Sequence, residues 1–324
     1  MISAIFFSLW MALIPQSNMQ TLETAIDLYD HGKFLQAKEV LTGLLLRAPK
    51  DAVLHLWLGK NFLKLRRWDD AVREFESAVQ INPKDGLHHL WLARAYGNKA
   101  EHASIFSAFG LARQARNSFE TAVKLSPDSL DARFDLLEYY AQAPGIVGGG
   151  RDKAEAEARE IARISPRAGF SARAAIHINN EEWDRARAEL TQATQKFPND
   201  PESWIDLAEF LLQRRDYEGA EAGARKALDL DGANRRARYC LAAARVELRR
   251  DLPGSIQVLQ ELTAGPLKEQ DPAFEDVYYV LGRAWLFQGK TGEARRALEE
   301  SLGFDPESKR IKEALAKIRT SDES

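Results

Sequence analysis

Six histidines, His31, His55, His88, His89, His102 and His177, are the first residues to weigh for chemistry. A helical metal pair needs two ligands one turn apart, as in His-Glu-x-x-His, so that both nitrogens face the same ion. None of the six has such a partner, and the adjacent His88 and His89 point to different sides of a helix. Cys240 is the single cysteine, which excludes an intrachain disulfide and a cysteine metal cluster; it reads as a small buried apolar side chain. Carboxylates are abundant but fall on faces such as "AEAEAREIAR" (154–163), where pairing with Arg one turn away accounts for them. The Gly148-Gly149-Gly150 run in "PGIVGGGRD" lacks the Gly-Lys-Ser/Thr ending of a phosphate loop and follows no strand pattern. No nucleophile with a base and an orienting group is evident. No catalytic residue, metal ligand or cofactor is therefore expected.

The elements that would position any site must come from an ordered chain. Of its 324 residues 45% are hydrophobic and 29% charged, a balance that supports a packed core. A formal net charge of −3 gives no positive excess for nucleic acid or an anionic membrane. Ile2 to Ile14 form an apolar run ending at Pro15, too short for the roughly 20 residues that span a bilayer but within the secretory range. Residues 1–17 are thus expected to be a signal-like segment that directs export to the periplasm or beyond, leaving a mature chain without a membrane span. No Lys or Arg precedes the run and no clean small-x-small site follows it, so a buried or partner-bound cap on a cytoplasmic protein is the alternative.

Self-comparison then reveals a period. "GKFLQAKEVLTGLLLRAP" precedes "RRWDDAVREFESAVQINP" by one step, and Ala37 to Ala71 is 34 residues. The second copy carries Leu58, Gly59 and Phe62, then Trp68, Ala71, Phe75, Ala78 and Pro83. The small residue recurs as Ala115, Ala154, Ala186, Ala220 and Ala294, with Ser255 in one slot, and Gly282 repeats Gly59. On these residues the chain resembles the tetratricopeptide repeat family. The resemblance implies an all-α, right-handed solenoid of stacked antiparallel helix pairs, with about eight repeats over residues 18–308 and a capping helix over 309–324. Small residues would lie where helix axes approach closely, and stacking would supply a core that no single pair can bury.

Three departures from the period mark insertions near residues 97–112, 143–152 and 263–273. The first two fall within consecutive units, so their loops should emerge together on one edge. Ile105, Phe106 and Phe109 with Pro144, Ile146, Val147 and Arg151 could then form one site beside a glycine hinge, or simply fold back onto the solenoid. The third lies between units, on the opposite edge, and is expected to be a spacer.

The resemblance also implies that the first helix of each pair lines a concave groove. "LHLWLGK" and "LHHLWLAR" then set Trp57 over Trp91 and Lys60 over Arg94, a basic aromatic patch extended by Lys64. Asp135, Glu138, Asp206 and Glu209 would turn the groove acidic farther along. Some family members clamp a terminal carboxylate with a Lys, Asn and Arg set, but Leu56 and Lys60 stand where that set would begin. The expected function is a scaffold or adaptor that binds a partner protein or peptide. An enzyme built on the inserted loops of repeats three and four, or a single-stranded nucleic-acid binder along the Trp57 to Arg94 stripe, are the alternatives.

Overall fold

The computed structural model describes residues 21–266 and 268–322; the signal-like run of residues 1–17 lies outside them. Seventeen α-helices account for most of the described residues, and none of these residues is in a strand. The helices pair as α1 (Leu22–Asp30) with α2 (Phe34–Arg47), α3 (Ala52–Lys64) with α4 (Trp68–Ile81), and α5 (Gly86–Glu101) with α6 (Ile105–Leu125). Then come α7 (Leu130–Gln142) with α8 (Arg151–Ile164), α9 (Pro166–Asn179) with α10 (Trp183–Lys196), and α11 (Pro201–Gln213) with α12 (Tyr217–Leu230). The last pairs are α13 (Arg235–Glu247) with α14 (Leu252–Ala264) and α15 (Phe274–Phe287) with α16 (Thr291–Phe304), followed by α17 (Lys309–Asp322).

Local chemistry sets these boundaries. A proline that cannot continue a helix is followed two residues on by a cap: Pro49 by Asp51, Pro83 by Asp85, Pro127 by Ser129 and Pro198 by Asp200. Asp51 accepts the free N–H groups of Val53 and Leu54 at 2.9 and 3.2 Å, and each of the other three caps likewise bonds a first-turn amide. Pro166 differs: it opens α9 at the first helical position, where its missing N–H costs nothing. The turn between the two helices of a unit passes through left-handed backbone at Arg66, Glu181, Arg215 and Arg249, and successive members of the last three are 34 residues apart.

Packing follows the small-against-large rule. Ala71, Ala115, Ala154, Ala186, Ala220 and Ala294 are fully buried, and a Cβ on Gly59 would stand 2.6 Å from the buried Phe75 ring. Gly282 faces Leu298 in the same way. Ser255, in the slot where other units carry Ala, is buried as well. The odd-numbered helices touch across units, α1 on α3, α3 on α5 and α11 on α13, so they form the inner layer and the even-numbered helices the outer one. Ile311 and Ile318 of α17 close the core over Ala294 and Leu298.

The right-handed superhelix brings its two ends together. The Phe304 ring of α16 lies 6.0 Å, edge-on, from Phe34 of α2, and it stacks on Phe274 and Tyr278 at 5.1 and 6.0 Å. Arg66 donates to Asp305 at 2.8 Å across the same junction.

The insertions differ from their expected form. The surplus near 97–112 lengthens helices rather than making a loop, with 16 residues in α5 and 21 in α6, and only residues 102–104 connect them. The 143–152 stretch forms a 3-10 turn, Gly145–Val147, whose backbone is tied down by Gly150 N–H donating to the Tyr140 carbonyl at 2.8 Å. Gly148 has φ 96°, and a Cβ on Gly149 would stand 1.8 Å from the Ala143 carbonyl oxygen, so this turn is a packed corner and not a hinge. The third segment is not a remote spacer, because Glu269 reaches across to Lys60 and Arg94.

Candidate partner-binding groove

Trp57 and Lys60 stand one turn apart on α3, and Trp91 and Arg94 hold the same spacing on α5. Since α3 and α5 pack side by side in the inner layer, the four side chains converge. The Lys60 ammonium lies 4.4 Å from the ring centroids of both Trp57 and Trp91, and the Arg94 guanidinium lies 4.6 Å from that of Trp91. Tyr29 braces Trp57 edge-on at 5.5 Å, and Phe75 stacks behind Trp91 at 5.9 Å. Trp57 remains half-buried, whereas Trp91 is buried and belongs as much to the core as to the groove.

Lys60 is only 10% exposed, and burial pushes its pKa below the ordinary lysine range, an effect that Glu269 opposes. Glu269 accepts from Lys60 at 3.1 Å and also pairs with Arg94, so one carboxylate bridges both cations. Arg94 in addition holds Asp135 of α7 at 2.5 Å. Burial raises the Asp135 carboxyl above the usual range against the pull of Arg94, and burial, then Asp135, raises Glu138. Lys64 is exposed and lines a cavity of ≈ 320 Å³ that Glu269 also lines, with Phe34, Arg66, Trp68 and Phe304.

Farther along, the expected acidic stretch is neutralised from within. Asp206 and Glu209 of α11 grip Arg236 of α13 at 3.3 and 2.6 Å, with Glu202 at 2.6 Å, and Arg167 of α9 donates to Asp206 at 2.8 Å. The groove is therefore less dipolar than the two pairs of acidic positions imply. Arg236 and Arg167 complete this cluster, and both lie on first helices flanking α11, where comparing the charges of neighbouring units would have found them.

The residues of the expected loop site do not come together. Ile105 and Phe106, 73% and 93% exposed, stand with Phe109 on the first turns of α6. Ile146, also 73% exposed, belongs to the 3-10 turn that packs against Arg116, about 10 Å along that helix from Phe109 and about 16 Å from Ile105. Val147 turns inward, its carbonyl accepting from Tyr139 and Arg116; Pro144 stays exposed; and Arg151 is spent on Glu155 and Glu182.

Stacked helix pairs with a lined inner layer and no strand among the described residues define a repeat scaffold. The tetratricopeptide repeat profile matches residues 22–86, 58–101 and 172–235, so the chain carries tetratricopeptide repeats in those stretches. Its fold is similar to that of yeast Tom70, with a TM-score of 0.61 at 15% identity over 96% of this chain and 66% of that one, slightly less than two thirds of its length. A thermophilic tetratricopeptide protein of Thermus thermophilus aligns at 24% identity and a TM-score of 0.48, over 59% of this chain and 97% of that one. No curated protein matches the chain by sequence. Among the described residues no helix is long and apolar enough to cross a membrane.

Proposed function

We propose that the chain is a protein-interaction scaffold that receives a segment of a partner protein or peptide at the Trp57, Lys60, Trp91 and Arg94 site. The observation that carries this reading is the convergence of those four side chains from two successive units. Aromatic faces and guanidinium groups supply much of the energy of protein interfaces, and here a lysine and an arginine lie against two indoles. The setting we propose is an exported or envelope-associated one, resting on the apolar run of residues 2–14. Mass spectrometry of the native N-terminus tests that setting, and Met1 retained on a cytosolic protein would contradict it.

Quantitative affinity capture with wild type and a Trp57→Ala/Arg94→Ala variant tests the site. Trp57 is chosen over Trp91 because Trp91 is a core residue whose loss would disturb folding. The expected result is loss of the partners that wild type recovers. Equal recovery by a variant with a normal helical spectrum would end the assignment.

A further inference from the structure

We propose that the 268–273 segment between α14 and α15 is a built-in competitor of the groove, and that the occupant which displaces it is an acidic peptide segment bearing a glutamate side chain. The inference rests on the scaffold reading above and names the kind of partner that reading requires. Glu269 lies 209 positions from Lys60 in sequence, yet it is the carboxylate that ion-pairs with Lys60 among the described residues. The pair is asymmetric: Lys60 is 10% exposed and held by two indole faces, whereas Glu269 is 44% exposed on a short irregular segment. Glu269 can leave and Lys60 cannot.

The consequences of leaving are also unequal. Arg94 keeps Asp135, so its charge stays matched. Lys60 keeps its ring faces and the weaker pull of Asp30 but no hydrogen-bonded carboxylate, in a position where burial already disfavours its charge. A buried cation left without its counter-charge is costly, so an opened groove favours a guest that returns a carboxylate to the same spot. The segment has an anchor separate from the Lys60 pair: Asp271 pairs with Arg235 at 3.2 Å and accepts the Lys268 N–H at 2.9 Å. It can therefore swing out while remaining attached to its unit. The cavity beside Glu269, lined by Phe34, Lys64, Arg66 and Trp68, offers room for residues flanking an incoming glutamate.

The test uses the full chain and a fluorescein-labelled, end-capped peptide that repeats residues 264–274, with binding read by anisotropy. Glu269→Gln removes the competing charge, and Asp271→Asn, at the cavity wall, loosens the anchor while leaving Glu269, Lys60 and Arg94 in place. Both variants are expected to bind the peptide about tenfold more tightly than wild type. A peptide with Gln in place of its glutamate should show no such gain, and Lys60→Met added to Glu269→Gln should abolish it. Equal affinity for wild type and both variants, equal binding of the Gln peptide, or no binding to any protein would overturn the inference. A failure here with partner capture still dependent on Trp57 and Arg94 sinks the competitor alone. Capture that ignores those residues sinks the scaffold site itself.

Discussion

Replacing Phe304 with Ala should open the superhelix where its ends meet. The ring is partly buried and contacts Phe274 and Tyr278 within its own unit and Phe34 across the junction. Full burial of a Phe is worth about 3–5 kcal/mol against Ala, so partial burial here suggests a total loss of about 2–3 kcal/mol. The share that crosses the junction is smaller, about 1 kcal/mol for one edge-on aromatic pair and its apolar contact. The Arg66 to Asp305 pair, with both side chains about a third exposed, adds less than that. Losing about 1 kcal/mol of closure should make opening about fivefold more frequent. Hydrogen exchange followed by mass spectrometry reads this directly as about fivefold faster exchange in α1 and α2, which lie far from residue 304 in sequence. Unchanged protection over residues 22–47, in a variant whose overall stability has fallen as stated, would refute the closed junction.

Two further outcomes follow from local geometry. Gly59→Ala gains about 1 kcal/mol of helix propensity but drives a Cβ into Phe75 at 2.6 Å, so it should lower stability by a net 1–2 kcal/mol or so in denaturant titration; a neutral or stabilising effect would disprove the close helix approach. Glu182 is held at about 2 by its hydrogen bond to Arg151 foremost, then by His177, against 4.5 for an unperturbed glutamate. Because its folded-state value is depressed, its contribution is complete above pH 4.5 and is lost as pH falls from there toward about 2. Melting temperatures measured across that range should decline less steeply for Glu182→Gln than for wild type, and parallel curves would argue against the link.

The fold was legible because its determinants are local and periodic. Each buried Ala slot and the Gly59 and Gly282 contacts can be aligned by eye, and the caps after Pro49, Pro83 and Pro198 sit beside them in sequence. The left-handed turn is less visible, since Arg66, Glu181, Arg215 and Arg249 occupy positions where glycine would have announced it. The patch of Trp57, Lys60, Trp91 and Arg94 was readable for a similar reason, as neighbouring units in register set equivalent residues side by side.

What the alignment could not reveal depends on accumulated geometry. Glu269 meets Lys60 only because small rotations at each successive unit junction sum to bring the seventh and eighth units over the first three. No residue spacing encodes that sum. The inserted residues of the third unit misled for a different reason: Ala71 to Ala115 is 44 residues, ten more than the period of 34, and such a surplus reads equally as a loop or as longer helices until tertiary packing selects the latter.

A carboxylate from the connection between the seventh and eighth units fills the lysine site of the first units. A double-mutant cycle on Lys60→Met and Glu269→Gln, measured by denaturant unfolding, tests it without any partner. The expected coupling is about 1 kcal/mol, a value discounted for the exposure of Glu269. Additive effects of the two substitutions would contradict it.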